Sequence, residues 1–246
     1  MNSSLERIET PRQARVLGLP LHLLHDYLGW LESQVRSRQG VHVVTLNAEM
    51  AMQATQTPEL AAVIQRAELV VPDGAGVVWY LRLRGKRLRR VPGIELAEAL
   101  LTRLEASSQS VFFFGGKPGV AEQAVAYWQR RCPDLTIAGI QHGYLQPGDD
   151  LEVAETLKAL RPSVILVGLG VPRQELWITR YRHVCPNAVW VGVGGSLDIW
   201  AGQKSRAPRW LREHNLEWVY RLYKEPWRWR RMLALPHFAW KALTSF

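Results

Sequence analysis

Residues 164–170 read VILVGLG, an uninterrupted apolar run that contains two glycines near its end. A membrane-crossing helix needs about 20 apolar residues, so this run is too short to be one and is typical of a strand buried on both faces. Five further runs have the same character: VHVVTLN (41–47), ELVVPD (68–73), VFFFGG (111–116), LTIAGI (135–140) and VWVGVGG (189–195). We therefore predict six short strands in the interior of the protein.

Stretches with helical spacing of their apolar residues separate these runs. Four of them are AEMAMQATQTPELAAVIQRA (48–67), IELAEALLTRLEAS (94–107), GVAEQAVAYWQRRC (119–132) and DDLEVAETLKALRP (149–162). Strands that alternate with helices indicate an α/β fold with a mostly parallel sheet covered on both faces. We predict that this core spans residues 1–200 and that residues 201–246 form a helical C-terminal appendage.

Polar residues and glycines follow the predicted strands. In a parallel sheet the strand ends share one edge, and open α/β sheets bind ligands there. Glycine and asparagine at one strand end are commonly only turn residues, but several strand ends together predict a site. The residues concerned are Thr45, Asn47, Asp73, Gly115, Gly116, Lys117, Gly168, Gly170, Gln174, Gly192, Gly194, Gly195 and Asp198.

The loop GGKPG (115–119) lies between a predicted strand and a predicted helix. Its backbone N–H groups and the start of the helix form a place where phosphate binds well, and Lys117 adds a positive charge. The loop matches neither the dinucleotide-binding pattern nor the P-loop pattern. A tight structural turn therefore stays open as the alternative to a phosphate site.

Asp73 stands at a strand end between Pro72 and Gly74. From these residues alone it could be a turn residue, a helix cap, a metal ligand or a catalytic base. The sequence has no Asp-x-Asp pair, and its seven histidines lack ligand spacing. We therefore expect no metal site and no cofactor.

The chain of 246 residues carries a formal charge of +9 and two cysteines, without a signal peptide pattern at its start. These features predict an anionic partner and a reducing, cytoplasmic location for a protein that is soluble or sits on a membrane. Residues 201–246 hold ten Lys/Arg against three acids, and six of the eleven tryptophans lie between Trp200 and Trp240. This composition is typical of a surface that binds anionic lipid, of a platform for RNA, or of a packed helix with solvated charges.

Eight segments together resemble the WecG/TagA/CpsF family of bacterial glycosyltransferases. They are TLNAEM, PDGAGVV, VPGIEL, FGGKPGV, GYL, GLGVPRQELWI, VGVGGSLDIWAG and RAPRWLREHNLEWVYRLYKEPWRWRR, and they cover roughly residues 20–235. The resemblance implies an inverting, metal-independent enzyme with a Rossmann-like core. It also implies a UDP-sugar donor, an acceptor sugar on polyprenyl pyrophosphate, and a peripheral location on the inner face of the plasma membrane. The pathway would be cell-surface polysaccharide synthesis, such as teichoic acid or exopolysaccharide.

Position by position, the resemblance makes Asp73 the catalytic base and places Thr45 and Asn47 in the pocket beside it. Gln174 and Asp198 then bind substrate. We expect the 115–119 loop and Gly170 to hold the leaving diphosphate, together with arginines of the appendage. The lipid pyrophosphate is expected to bind the basic residues near the site and in the appendage, among them Arg90, Arg206, Arg221, Arg228 and Arg231.

The donor stays open between UDP-N-acetylmannosamine, its uronic acid, UDP-glucose and another UDP-sugar. The alternative function is an RNA-binding protein that uses the Arg/Trp-rich tail, although no nucleic acid partner is expected.

Overall fold

The computed structural model of the protein describes residues 10–86 and 88–244, apart from the side chains of Arg228, Arg230 and Arg231. In chain order its strands are β1 (Arg12–Val16), β2 (Leu19–Leu23), β3 (Val41–Leu46), β4 (Leu69–Pro72), β5 (Ser110–Gly115), β6 (Thr136–Gln141), β7 (Val164–Gly168) and β8 (Val189–Gly192). Strands β3 to β8 form one six-stranded sheet in the order β4-β3-β8-β7-β5-β6, and every neighbouring pair is parallel. The six predicted strands and the α/β fold are confirmed.

Helices cover both faces of this sheet. They are α1 (Tyr27–Arg36), α2 (Ala48–Ala54), α3 (Pro58–Arg66), α4 (Ala75–Leu83), α5 (Gly93–Leu104), α6 (Val120–Arg131), α7 (Asp149–Leu160), α8 (Arg173–Tyr181), α9 (Ser196–Trp200), α10 (Arg209–Glu213), α11 (Glu217–Lys224), α12 (Trp229–Met232) and α13 (Ala234–Thr244). Short 3₁₀ turns follow α8 and α11.

The alternation of side chains along each strand divides the core between the two faces. On β3, Val41 and Val43 pack under α1, α5, α6 and α9, whereas Val44 and Leu46 pack under α2, α3 and α4. On the face that holds Val44 and Leu46, but at the other end of the sheet, α7 and α8 cover Ile165 and its neighbours. Because both faces are covered, the inner strands are mostly apolar, which explains why their sequences are continuous apolar runs.

An antiparallel hairpin of β1 and β2 precedes the sheet and was not predicted. Its two-residue turn is Leu17–Gly18, and both residues have positive φ angles of 49° and 81°. Such a turn joins two short strands closely, and a Gly at its second position favours it. The hairpin packs beside the edge strand β4, where the Nδ1 of His22 accepts a hydrogen bond of 2.9 Å from the N–H of Val70.

The predicted helical stretch 48–67 consists of two helices because Pro58 starts the second one. The residue before a proline avoids the helical region, and Thr57 is accordingly extended, with φ −126° and ψ 93°.

The C-terminal helix α13 packs against the part of the core that α2 and α4 cover. Its Phe238 and Ala242 are buried against α2 and α4, so the last described helix belongs to the core packing. The domain boundary at residue 200 stays a prediction.

Candidate active site

A cleft of about 970 Å³ opens at the carboxyl edge of the sheet. One wall consists of the segments that follow β3, β4, β5, β7 and β8. The opposite wall consists of residues from α11 and the turn after it: Glu217, Tyr220, Arg221, Lys224, Glu225 and Trp227. The expected convergence of strand ends is therefore present, and residues of the C-terminal segment complete the lining of the cleft.

Asp73 lies in this cleft directly after β4. Its N–H donates to the carbonyl of Leu46 at 3.0 Å, which continues the pairing of β4 with β3. Its Oδ1 accepts a hydrogen bond of 3.1 Å from the N–H of Gly93, the first residue of α5. Helix α4 begins after Gly74 without a side-chain cap, so Asp73 does not cap the helix that comes next in the chain. The carboxylate instead sits at the start of a different helix.

Gly93 makes this contact possible by its lack of a side chain. A Cβ at this position would lie 2.6 Å from the Cγ2 of Thr45, a methyl group on a β-branched side chain that cannot move far. Thr45 is nearly buried at the end of β3, and its Oγ1 donates to the carbonyl of Gly192 at 3.4 Å. The glycine therefore lets the start of α5 approach β3 closely enough to hold Asp73.

The surroundings of Asp73 raise its pKa from 3.8 to about 6. Burial is the largest cause, and the negative charge of Glu217 acts in the same direction. The Gly93 N–H and the charges of Arg221 and Arg90 act in the opposite direction but are outweighed. A carboxylate with a pKa near the working pH is ionised and still basic enough to accept a proton, which is the requirement for a general base.

Asn47 is half-buried in the same cleft and caps α2. Its Oδ1 accepts a hydrogen bond of 2.9 Å from the N–H of Met50. This contact fixes the amide plane, and the Nδ2 has no protein partner among the residues that the structure describes. Asn47 therefore lines the cleft with an amide N–H group that no described protein group occupies.

The 115–119 loop divides into a packed part and an accessible part. Gly115 has φ +139°, and a Cβ there would lie 2.5 Å from the backbone oxygen of Gly168. It therefore lets β5 and β7 end side by side and does not line the cleft. Gly116 and Lys117 do line it, directly before the start of α6 at Val120. Of the three loop residues predicted to bind substrate, Gly116 and Lys117 therefore line the cleft, whereas Gly115 does not.

Gln174 lies at the base of the cleft and is only 1% exposed. Its Oε1 accepts hydrogen bonds from the N–H groups of Gly170 (3.2 Å) and Gly194 (3.0 Å), and its Nε2 donates to Glu175 at 2.9 Å. Both ends of the amide are engaged within the protein. The side chain therefore ties together the loops after β7 and β8, which places Gly170 at the cleft surface.

Glu175 anchors this arrangement from the core. It is fully buried, and its second oxygen lies 2.8 Å from the Nε2 of His42 on β3. A buried carboxylate is tolerated only when it is paired in this way. Because Glu175 accepts a hydrogen bond from the Nε2 of Gln174, the Oε1 of Gln174 is the end that faces Gly170 and Gly194.

Asp198 lines the far side of the cleft in the first turn of α9. Lys204 stands between it and the C-terminal wall: its Nζ lies 3.7 Å from Asp198 and 3.0 Å from Glu225. This lysine links the two walls electrostatically.

The five predicted arginines have different positions. Arg90 and Arg221 both contact Glu217, at 3.5 and 2.7 Å, close enough to Asp73 for their charges to affect it. Arg206 pairs with Glu95 on α5 and does not line the cleft. The side chains of Arg228 and Arg231 lie outside the part of the chain that the structure describes.

Several residues that line the cleft were not predicted from the sequence, and two of them, Glu217 and Gly93, act on Asp73. Glu217 is nearly buried, and Arg221, Arg90 and Arg206 hold its pKa below the ordinary value despite its burial. Gly93 belongs to the VPGIEL segment but was not assigned a role. The sequence did carry a signal for Glu217: it stands four residues before Arg221, and oppositely charged side chains at this spacing on one helix form ion pairs.

Most tryptophans of the C-terminal segment are exposed. Trp227 and Trp240 expose 72% and 70% of their surface, and Trp210, Trp218 and Trp229 also face outward, whereas Trp200 is buried in the core. The aromatic side chains therefore do not serve mainly to pack this segment. No helix within the described residues 10–86 and 88–244 has the length and apolar character to cross a membrane.

Comparison with known sequences places the chain among glycosyl transferases. It matches the family described as Glycosyl transferase WecG/TagA/CpsF over residues 14–246. Three relatives bear the name N-acetylglucosaminyldiphosphoundecaprenol N-acetyl-beta-D-mannosaminyltransferase. The one from Bacillus spizizenii is 40% identical over 217 residues, covering 87% of this chain and 84% of the relative. Those from Bacillus subtilis strain 168 and Staphylococcus aureus strain MW2 are each 36% identical, covering 88% and 84% of this chain and 84% and 81% of the relatives.

Proposed function

The chain belongs to the WecG/TagA/CpsF family of glycosyl transferases, and from this membership we propose its reaction. An N-acetylmannosamine residue passes from a UDP-sugar to the N-acetylglucosamine of a lipid-linked acceptor, N-acetylglucosaminyl-diphospho-undecaprenol. The names of the three relatives support the acceptor and the transferred sugar. The product would enter the synthesis of a cell-surface polysaccharide.

The observation that carries the proposal is the position of Asp73. An acceptor hydroxyl that attacks an anomeric carbon needs one general base within hydrogen-bonding distance. Asp73 lies in the cleft, one of its oxygens is fixed by Gly93, and its raised pKa makes it a stronger base than an ordinary aspartate. In the proposed step its free oxygen accepts the hydroxyl proton while the hydroxyl oxygen bonds to the sugar and UDP leaves.

A single displacement of this kind inverts the configuration of the anomeric carbon. The relatives' names specify a β-linked product, and sugars in UDP donors of this type are α-linked, so inversion is the outcome that fits. A retaining enzyme with a covalent intermediate would need a second carboxylate as nucleophile. Glu217 is the candidate for such a nucleophile, but its carboxylate already contacts Arg90 and Arg221.

The leaving diphosphate would be stabilised by positive groups of the chain. Lys117, Arg221 and Lys224 line the cleft, as does Val120, where α6 begins without a side-chain cap. Cations and helix N-termini stabilise negative charge that develops in a transition state. We therefore propose that transfer proceeds without a divalent metal ion.

The enzyme would work at the cytoplasmic surface of the membrane that holds its acceptor. The exposed tryptophans and the basic residues of the C-terminal segment support this location, because aromatic and cationic side chains together favour an anionic bilayer surface.

A donor and acceptor panel tests the proposed reaction. The full-length protein is incubated with N-acetylglucosaminyl-diphospho-undecaprenol in detergent and, in turn, with the UDP derivatives of N-acetylmannosamine, its uronic acid, glucose and N-acetylglucosamine. UDP release and the mass of the lipid product are measured. Transfer from UDP-N-acetylmannosamine, with no UDP release when the acceptor is omitted, is the expected result. Transfer of another sugar in its place, or no transfer at all, would refute the assignment.

A further inference from the structure

Two arginines act on Asp73 through their charges, Arg221 from the lining of the cleft and Arg90 from outside it, yet neither forms an ion pair with Asp73. Arg90 comes from the segment before α5 and Arg221 from α11, and the charges of both reach Asp73. An arginine paired with a carboxylate would occupy its lone pairs and lower its pKa, which would make it a poor base. Something must therefore keep the arginines away from Asp73.

Glu217 accounts for this separation. Its Oε1 lies 2.7 Å from the Nη2 of Arg221, and its Oε2 lies 3.5 Å from the Nη1 of Arg90. The side chain is largely withdrawn from solvent, with 11% of its surface exposed, so the contacts are little screened by water. One carboxylate of α11 thus engages Arg221 from its own helix and Arg90 from the segment before α5.

We infer that Glu217 is a positioning residue: its carboxylate holds Arg90 and Arg221 away from Asp73 and so keeps Asp73 free to accept the proton of the acceptor hydroxyl. This inference rests on the proposed function, in which Asp73 is the base. It also gives the C-terminal segment a part in the reaction besides membrane contact. The charged groups that act on Asp73 are Arg90, Arg221 and Glu217, and the Gly93 N–H completes its surroundings.

Removing the charge of Glu217 should redirect both arginines to Asp73. In Glu217→Gln they lose their carboxylate partner, and we expect them to pair instead with Asp73, which their charges already affect. The pKa of Asp73 then falls by about one unit or more, because the effect of an adjacent arginine adds to the loss of the Glu217 charge, which by itself lowers this pKa. kcat falls by about tenfold, because a charge-assisted hydrogen bond now competes with the acceptor hydroxyl. The acidic limb of the pH–rate profile moves to lower pH.

The pKa of Asp73 is measured directly by ¹³C NMR titration of protein labelled at the aspartate carboxyl carbons, with Asp73→Asn used for assignment. This readout does not depend on turnover. If no transfer is found in the donor panel, the proposed function fails while the titration still decides whether Glu217 controls Asp73. Glu213→Gln is the control, because Glu213 also pairs with an arginine four residues away, Arg209, but this pair is exposed and Glu213 does not line the cleft.

A double variant separates repositioned arginines from a detached C-terminal segment. In Glu217→Gln/Arg221→Gln one of the released arginines is gone, so the pKa of Asp73 returns toward its wild-type value. Detachment would instead lower the pKa equally in the single and double variants, because water would reach Asp73 in both. Equal shifts in these two variants, an unchanged pKa in Glu217→Gln, or an equal shift in Glu213→Gln would each overturn the inference. Glu217→Asp, which keeps the charge, is expected to restore part of kcat.

Discussion

Replacement of Asp73 by asparagine should make the protein inactive and more stable at the same time. Asparagine has nearly the same shape, and its Oδ1 can still accept the hydrogen bond from Gly93. It cannot accept a proton, so kcat falls by at least about 10²-fold. It also carries no charge, which removes the cost of ionising a group in this enclosed position.

The size of the stability gain follows from the pKa. The folded protein raises the pKa of Asp73 from 3.8 to about 6, a difference of about two units. Each unit corresponds to about 1.4 kcal/mol, so the ionised carboxylate costs the wild-type protein at most about 3 kcal/mol. For a chain of this size that is an increase of up to about 10 °C in the melting temperature of Asp73→Asn.

The sign of the pH dependence is fixed by the direction of the shift. A raised pKa means that the folded state binds the proton more tightly, so the wild-type protein loses stability relative to the variant as the pH rises from about 4 to about 6. The difference between the two proteins is therefore full at about pH 8, about half as large at about pH 5, and nearly absent below about pH 4.

Urea unfolding at pH 5 and pH 8, together with the transfer assay, measures both effects. Asp134→Asn is the control, since Asp134 is exposed and lies outside the cleft. Wild-type turnover in Asp73→Asn would refute the role of Asp73 as base. A stability difference that is equal at pH 5 and pH 8 would refute the electrostatic explanation.

Three further changes test other parts of the structure. Removal of divalent metal with EDTA should leave transfer within about twofold, and a loss that Mg²⁺ or Mn²⁺ restores would contradict a metal-independent reaction. Replacing the exposed Tyr223 and Trp240 by serine should weaken sedimentation with anionic vesicles by at least about tenfold without changing the melting temperature, and unchanged sedimentation would remove these residues from the membrane surface. Phe238→Ala should destabilise the protein by about 3–5 kcal/mol in urea unfolding, because this ring is buried against Tyr80, whereas a near-neutral effect would show that α13 does not contribute to the core.

The positions of the six strands of the parallel sheet were predictable because each strand is a largely continuous apolar run. The runs are apolar because helices cover both faces of the sheet. Residues 164–167 are fully buried in the structure, as their composition indicates. The β1–β2 hairpin was missed because its strands, RQARV and LPLHL, are not continuous apolar runs, although Leu17–Gly18 carried a turn signal. Two short strands with partly polar faces give a weak pattern that chance can reproduce.

The candidate site was predictable in its location but only partly in its roles. Parallel strands end at one edge, so the placement of Thr45, Asn47, Asp73 and Asp198 in one cleft followed from their positions after the strands. Gln174 also lies there, but its amide binds the protein's own backbone. A residue type and its place after a strand do not reveal which hydrogen bonds the folded chain already satisfies.

The sequence by itself determined the α/β architecture, the edge of the sheet at which the cleft opens and the family, because periodicity, strand ends and motifs are local features. Only the tertiary structure decided the surroundings of Asp73. Gly93 lies 20 residues away in the chain, and Arg90 and Glu217, which meet beside Asp73, are separated by 127 residues. Burial and nearby charges raise the pKa of Asp73 from that of an ordinary aspartate to about 6. Both depend on which residues lie close together in the folded chain, and the order of the residues does not reveal this.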